Sequence, residues 1–335
     1  MIEFTELVNA QELDEFVKQH KKCHFMQTSL WGRVKNDWSW HGIICRDTDR
    51  KIRGTMTLLS RKLKWKNTSI LYAPRGPIYD HGDQKTLLKL LEAAKELAYR
   101  LNAVFLRLDP MVREEDSAFI SWMKREGFVC DQADNYSLYQ PRMCYLLDLH
   151  EKTPKDLEKS YHPSTRRHLR TAVKNGVRIE RSSDMDAFYA LMRKTAQHNG
   201  FSLREYHYFK RFLDQMEERA RLYLAWENNR AIAGSIAVFM GDRAWYMYGA
   251  SDPENRKSHP NELLQWQMQS DAILEGCRYF DMRGVEGYPV QGNPKLGLHQ
   301  FKQGFSAQFV AYAGQFDYVC KPFIYRLLKL YAKIF

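Results

Sequence analysis

The feature that most limits the fold is a succession of elements that occurs twice in the 335 residues. In the first half, apolar periodicity predicts helices over 10–19 and 29–36. Strands follow over 41–45 and 52–63, joined by the turn Asp47-Thr-Asp-Arg50. A strand over 69–72 then leads through Ala73-Pro-Arg-Gly-Pro77 to a strong helix over 84–102 and a buried strand over 104–108. A helix over 114–126, a strand at 128–130 and an extended segment over 142–149 close this half. The second half reads helices over 184–198 and 204–217, and strands over 222–227, 231–240 and 244–250. A long helix over 260–276, a strand over 279–282, a short helix near 298–305 and a strand over 308–316 follow. Each half is thus helices, an antiparallel meander, a long helix and a further strand. That order predicts the α+β class with two duplicated domains, 1–149 and 150–320, followed by an amphipathic helix over 321–335. No low-complexity linker intervenes, so the domains are expected to share an interface, a common setting for ligand clefts.

Composition narrows the partners. Lys and Arg number 51 against 40 Asp and Glu, a net charge of +11 that favours polyanions. The six cysteines are scattered without a CxxC pair and read as reduced packing residues of a cytoplasmic protein. The histidines show no HExxH spacing, so no metal is expected. The N-terminus does not read as a signal sequence, and no apolar run is long enough to span a bilayer. Along 322–335, Arg326, Lys329 and Lys333 oppose Phe323, Leu327, Leu330 and Ile334, so peripheral contact with the cytoplasmic membrane face is one reading and packing on the domain the other.

Ser160–Gly176 holds Arg166, Arg170 and Lys174 on one helical stripe with Arg167 beside it, and no acid among them. Leu169, Ala172 and Val173 fall on the side that can face a core, and Asn175-Gly176 supplies the helix stop. The stripe reads as a phosphate-binding surface or as a solvated charged face.

Several segments together resemble a known family: Phe25-Met-Gln-Thr-Ser-Leu-Trp-Gly-Arg-Val-Lys35, Tyr72-Ala-Pro-Arg-Gly-Pro77, Leu106-Arg-Leu-Asp-Pro110 and Gln140-Pro-Arg142. The basic helix, Trp245-Tyr-Met-Tyr-Gly-Ala-Ser251 and Phe301-Lys-Gln-Gly-Phe305 follow in order. The chain is similar to the Fem (FemABX) family of aminoacyl-tRNA-dependent transferases that build peptidoglycan cross-bridges, in a compact form without a coiled-coil arm. The resemblance implies two acetyltransferase-like (GNAT-like) domains. It also implies an aminoacyltransferase that moves an amino acid from aminoacyl-tRNA to the side-chain amine of a stem peptide, on UDP-MurNAc-pentapeptide or lipid II. Acetyl-CoA users of that fold hold pyrophosphate on a glycine-rich loop opening a helix. Asn255-Arg-Lys-Ser-His-Pro-Asn261 has no glycine and carries a proline, so CoA is not expected.

On the resemblance, Lys35 and Arg204 match positions that hold the diphosphate of a UDP-linked precursor, a task suited to a point charge and a two-pronged guanidinium. Tyr208, four residues after Arg204, is expected on the same helix face, and Tyr246 and Tyr248 on one face of a strand; core packing is the alternative for all three. Lys302 is the expected catalytic cation, quieting charge on the carbonyl and ribose oxygens, with Phe301 and Phe305 excluding water. Asp109, before Pro110, is expected either to help the amine lose its proton or to cap a turn. An acyl ester is already activated, so direct attack is expected, with no covalent enzyme intermediate, cofactor or metal. The basic helix, through Arg166, Arg167, Arg170 and Lys174, is the expected tRNA contact. The chain is read as a monomer that does not act on DNA. Rival readings are a non-catalytic RNA- or nucleotide-binding protein on the same fold, and a tRNA-dependent transferase with a protein or lipid acceptor.

Overall fold

The computed structural model describes residues 1–3, 8–64, 67–135 and 137–334, excepting the side chains of 331–334, so Lys333 and Ile334 of the C-terminal stripe lie outside the described side chains. Two compact units emerge, 1–142 with 311–335, and 143–310.

Unit 1 is built on a sheet whose strands are β1 (Ile2–Glu3), β2 (Ser39–Arg46), β3 (Ile52–Lys62), β4 (Ser69–Ala73), β5 (Ile78–Tyr79), β6 (Ala103–Leu108) and β7 (Phe128–Asp131). The chain's last strand, β15 (Gln315–Val319), joins them in the order β1-β2-β3-β4-β6-β15-β7, with β5 on β3. Helices α1 (Ala10–Gln19) and α2 (Ser29–Val34) precede the meander, α3 (Gln84–Arg100) crosses over to make β4 and β6 parallel, and α4 (Ser117–Arg125) precedes β7. Asp83 caps α3 by accepting from the Thr86 N–H. The buried face of α3 includes Leu87, Leu90, Leu91, Ala94, Leu97 and Ala98, and each buried leucine contributes about 2 kcal/mol. Leu88, by contrast, is only partly covered.

Unit 2 repeats the plan. Its strands are β8 (Met143–Asp148), β9 (Arg178–Ser182), β10 (Ala220–Glu227), β11 (Arg230–Met240), β12 (Arg243–Ser251), β13 (Tyr279–Val285) and β14 (Gln308–Ala311), in the order β14-β8-β13-β12-β11-β10-β9. Helices α5 (Pro154–Ser160), α6 (Pro163–Lys174), α7 (Met185–Asn199) and α8 (Tyr206–Met216) lead to the meander. Then α9 (Pro260–Leu274) crosses over between the parallel β12 and β13, and α10 (Leu296–Gln303) precedes β14.

The strand expected over 308–316 is two strands. Gly314 takes φ +111° between them, and β14 lies in the sheet of unit 2 whereas β15 pairs with β6 and β7 of unit 1. The units accordingly divide at Arg142 and Met143, because β8 pairs with β13 from its first residue to its last on either side of an interruption. Helix α11 (Pro322–Ile334) packs back on unit 1.

Candidate functional site

The parallel pair of unit 2 opens. β12 and β13 are joined over Arg243–Trp245 against Tyr279–Asp281 and diverge beyond. Both strands are irregular where they part. On β13, pairing with β8 is interrupted between Asp281 and Gly284, and Arg283 takes φ +62°. The buried Lys302 of α10 aims its ammonium into this bulge and donates to the carbonyls of Met282 (2.7 Å), Arg283 (2.9 Å) and Gly284 (2.8 Å). Three successive carbonyls converge on one cation only where the backbone curls, and the left-handed Arg283 provides the curl. The Arg283 N–H donates to Asp281 Oδ1 at 2.6 Å and holds the turn.

Lys302 is 3% exposed, and desolvation pulls its pKa down to about 8, with the Arg283 cation pushing the same way. The carbonyl bonds act in the opposite sense, since only the ammonium form has three N–H groups to give. At neutral pH the group is a buried cation whose three donors are all engaged by the backbone. A direct hydrogen bond to another group would need one of these N–H groups released; what the ammonium offers in this state is its field and its hold on residues 282–284.

On β12, the ladder to β11 sets Ile236 opposite Tyr248 and Ala237 opposite Tyr246, which leaves Met247 as a bulge. A one-residue bulge reverses the alternation, so Tyr246 and Tyr248 stand on opposite faces of the sheet, contrary to the expectation that they share one. Tyr248 meets Phe209 and Phe212 of α8 edge-on, and its hydroxyl lies 2.9 Å from that of Tyr208. Tyr246 instead bonds Ser235 and Gln265 of α9 and fills the space over Gly249, where a β-carbon would overlap its hydroxyl.

Arg204 was expected on the α8 helix with Tyr208. It lies before the helix, whose N-cap is Glu205, and its guanidinium still covers the Tyr208 ring at 4.6 Å. Burial holds the Tyr248 hydroxyl well above its ordinary range, while the cations Arg204 and Arg283 pull it down. A continuous set runs from Arg204 through Tyr208 and Tyr248 to Arg283 and Lys302, and all of it belongs to unit 2. Arg283 was not singled out from the sequence; the one signal for it was its place beside Gly284 at a strand end. Phe301, half-buried, packs edge-on against the buried Phe305, which in turn meets Tyr161.

The basic helix forms as α6, with proline at N1 and the His162 side chain accepting from the Ser164 N–H. Thr165, Leu169 and Ala172 are buried. Val173 is 63% exposed rather than in the core. It lines a cavity of about 320 Å³ with Arg170, Lys174, Leu263 and Trp266, so two of the four cations stand beside an aromatic wall. Arg166 turns back to the Lys159 carbonyl, and Arg167 is exposed. Beside them, His168 of α6 stacks on His259 at 3.9 Å, and Glu262 lies 3.1 Å and 3.4 Å from the two rings. Spacing along the chain missed this trio, whose donor atoms all lie within 4.8 Å of one another; it ties α6 to the start of α9.

In unit 1, Asp109 is 4% exposed and both its oxygens are engaged, by the Tyr72 hydroxyl and the Arg75 N–H, each at 2.6 Å. Burial raises its pKa, while Arg75 and the Tyr72 bond lower it. Of its two expected roles, holding the turn is the one these contacts serve. Lys35, at the C-cap of α2, places its ammonium 5.2 Å from the Trp31 ring.

The chain is 25% identical to the lipid II:glycine glycyltransferase of Staphylococcus aureus (strain bovine RF122 / ET3-1), in an alignment covering 96% of this chain and 94% of that protein. To the enzyme of the same name from Staphylococcus haemolyticus (strain JCSC1435) it is 24% identical, with the same coverage. In fold, it is similar to the crystal structure of FemX at a TM-score of 0.88 and 23% identity, over 97% of this chain and 99% of that one. A tandem GNAT protein from the clavulanic acid biosynthesis pathway aligns at 0.54 and 13%, over 94% and 99%. The fold is thus a duplicated GNAT-like α+β architecture. The FemAB family model matches residues 8–230 and 226–333, and the chain belongs to the FemAB family.

Proposed function

We propose that this chain is an aminoacyltransferase that moves an amino acid from aminoacyl-tRNA onto the side-chain amine of a peptidoglycan stem peptide. The observation that carries the reading is the parting of β12 and β13, with Tyr248 on one strand linked to Tyr208 and Arg204, and Arg283 on the other held by the buried cation Lys302. The names of the relatives, lipid II:glycine glycyltransferases, support the acceptor class.

In the reaction the acceptor nitrogen attacks the ester carbonyl, a C–N bond forms, the C–O bond to the terminal ribose breaks, and the amine's proton passes to the ribose oxygen. Negative charge builds first on the carbonyl oxygen and then on the departing oxygen. A preorganised cation in a dry site stabilises such charge by about 3 kcal/mol. Lys302 supplies that field and fixes the 282–284 segment. Arg204 and Lys35 are assigned to the acceptor's phosphates, Tyr208 and Tyr248 to its sugar or nucleotide, and Phe301 to excluding water. On this reading Tyr246 serves α9 packing rather than substrate. A free lysine amine is protonated at neutral pH, so its deprotonation is part of the barrier. Asp109 is assigned to that step only if its turn opens. Arg170 and Lys174, beside Trp266, are the first tRNA-phosphate contacts to test, followed by Arg166 and Arg167.

The test supplies the protein with a pool of charged tRNAs and either a UDP-linked or a lipid-linked precursor and reads the product by mass spectrometry. One added aminoacyl residue on the stem peptide is expected, with Lys35→Ala and Arg204→Ala raising KM for the UDP-linked acceptor. Binding of charged tRNA with no amide formed on either precursor would overturn the reading in favour of a non-catalytic RNA-binding protein.

A further inference from the structure

Helix α11 has two apolar faces and only one of them is covered. Ile324, Tyr325 and Leu328 pack against Ile70, Val104 and Phe105, and the Tyr325 hydroxyl donates to the buried Asp317 at 2.7 Å. That anchorage ties the helix to unit 1. On the opposite side Phe323, Leu327 and Leu330, spaced i, i+4 and i+7, are 71%, 39% and 59% exposed. Large apolar side chains aligned in this way on a well-packed helix mark an interaction surface.

The charges around the stripe identify what covers it. Between Lys321 and Leu330 there is no acid, Arg326 is exposed beside Leu327, and Lys329 pairs with Asp131 on the flank. Lys62, exposed at the end of β3, adds to the same sign, and Arg61 beside it shares a groove with Lys329 and Leu328 while pairing with Asp37 at 3.8 Å. A second copy seated on this stripe would bring Lys321 and Arg326 against their own kind, a like-charge contact that works against association. An anionic bilayer matches both features, apolar side chains entering the acyl boundary and cations meeting the headgroups. No helix among the described residues is long and apolar enough to cross a membrane, so the contact would be one that lies on the surface.

We propose that α11 docks this chain on an anionic membrane surface through Phe323, Leu327 and Leu330, with Lys321 and Arg326 at the headgroups, and that docking concentrates the chain where a lipid-linked acceptor resides. The second clause rests on the functional reading above; the first does not.

The experiment sediments the full chain with vesicles of phosphatidylcholine alone or with added phosphatidylglycerol. Binding is expected only with the anionic lipid. Lys321→Glu with Arg326→Glu should weaken it by about fivefold or more for each cation removed, and Phe323→Ser with Leu330→Ser should abolish it without shifting Tm. Transfer to a soluble UDP-linked acceptor should be unchanged in both variants, while transfer to a vesicle-embedded acceptor falls with binding. Equal sedimentation of wild type and variants, or binding that ignores lipid charge, would overturn the proposal. So would a concentration-dependent dimer in sedimentation velocity that the Phe323→Ser and Leu330→Ser substitutions dissolve. If wild type binds anionic vesicles but transfers to neither acceptor, the docking stands and the functional reading fails.

Discussion

The two units answer the same structural question in opposite ways. Each has a pair of parallel strands joined by a long crossover helix, and each must decide what happens at the end of that pair. In unit 1, β4 and β6 stay registered to Ala73 and Leu108, and Asp109 then closes the end by binding the Tyr72 hydroxyl and the Arg75 N–H. Gln27 adds to the closure, its amide bonding Thr57 and the Pro74 carbonyl. In unit 2, β12 and β13 separate after three residue pairs, and the buried Lys302 holds the β13 bulge by three carbonyls. One copy of the plan carries a buried carboxyl that seals; the other carries a buried cation at the point where the strands part. A duplicated fold can therefore keep one half as scaffold and devote the other to a site, by changing one buried charge and the backbone it binds.

The largest test of this contrast is Lys302→Met, which should cut turnover by about 10²- to 10³-fold in the mass-spectrometric assay. Lys302→Arg should recover part of it, because the charge returns but not the geometry of three carbonyl bonds. Full activity in the methionine variant would break the contrast.

Second, the rate should fall with an alkaline limb near pH 8, by about tenfold per unit above it, as the ammonium deprotonates. The folded-state value lies below the ordinary 10.5, so the unfolded chain holds more protons between these limits. This group alone then makes stability rise, not fall, across that window. A loss of rate without a loss of Tm is the signature, and a limb near 10 in the wild type would sink the assignment.

Third, Asp109→Asn should lower stability by about 1–3 kcal/mol, read from the urea midpoint, with a smaller effect on turnover. The reverse, collapse of turnover at an unchanged midpoint, would make Asp109 the base and not the seal. Gly249→Ala should cost a similar amount, about 1–3 kcal/mol, because the added methyl displaces Tyr246.

The smallest effect expected concerns α6. Reversing Arg170 and Lys174 together should reduce the slope of log affinity against log salt for charged tRNA by about 2, one for each phosphate contact. An unchanged slope would return the stripe to a solvated face.

Much of the fold was legible because its elements are long and periodic. Helix α1 was read to its ends, and the halves showed the same order of helix, meander, helix and strand. The misreadings sit where one residue changes the geometry. Gly314 breaks a run of apolar residues into β14 and β15 and sends the second into the sheet of unit 1. Met247, as a bulge, turns Tyr246 away from Tyr248. Arg204 reaches Tyr208 from a loop, a contact that helical spacing suggested for a different reason.

The site divides along the same line. Lys302, Asp109, Arg204, Tyr208 and the cations of α6 could be picked out by residue type and motif, since the chemistry of each is carried in its own side chain. What those groups do depends on partners distant in the chain. Whether Lys302 is a surface cation or a buried one, and whether its N–H groups meet water or three carbonyls, is set by where α10 packs against β13. Local sequence fixes charge, period and turn; burial and bond partners come from contacts between segments far apart, and only the assembled sheet decides them.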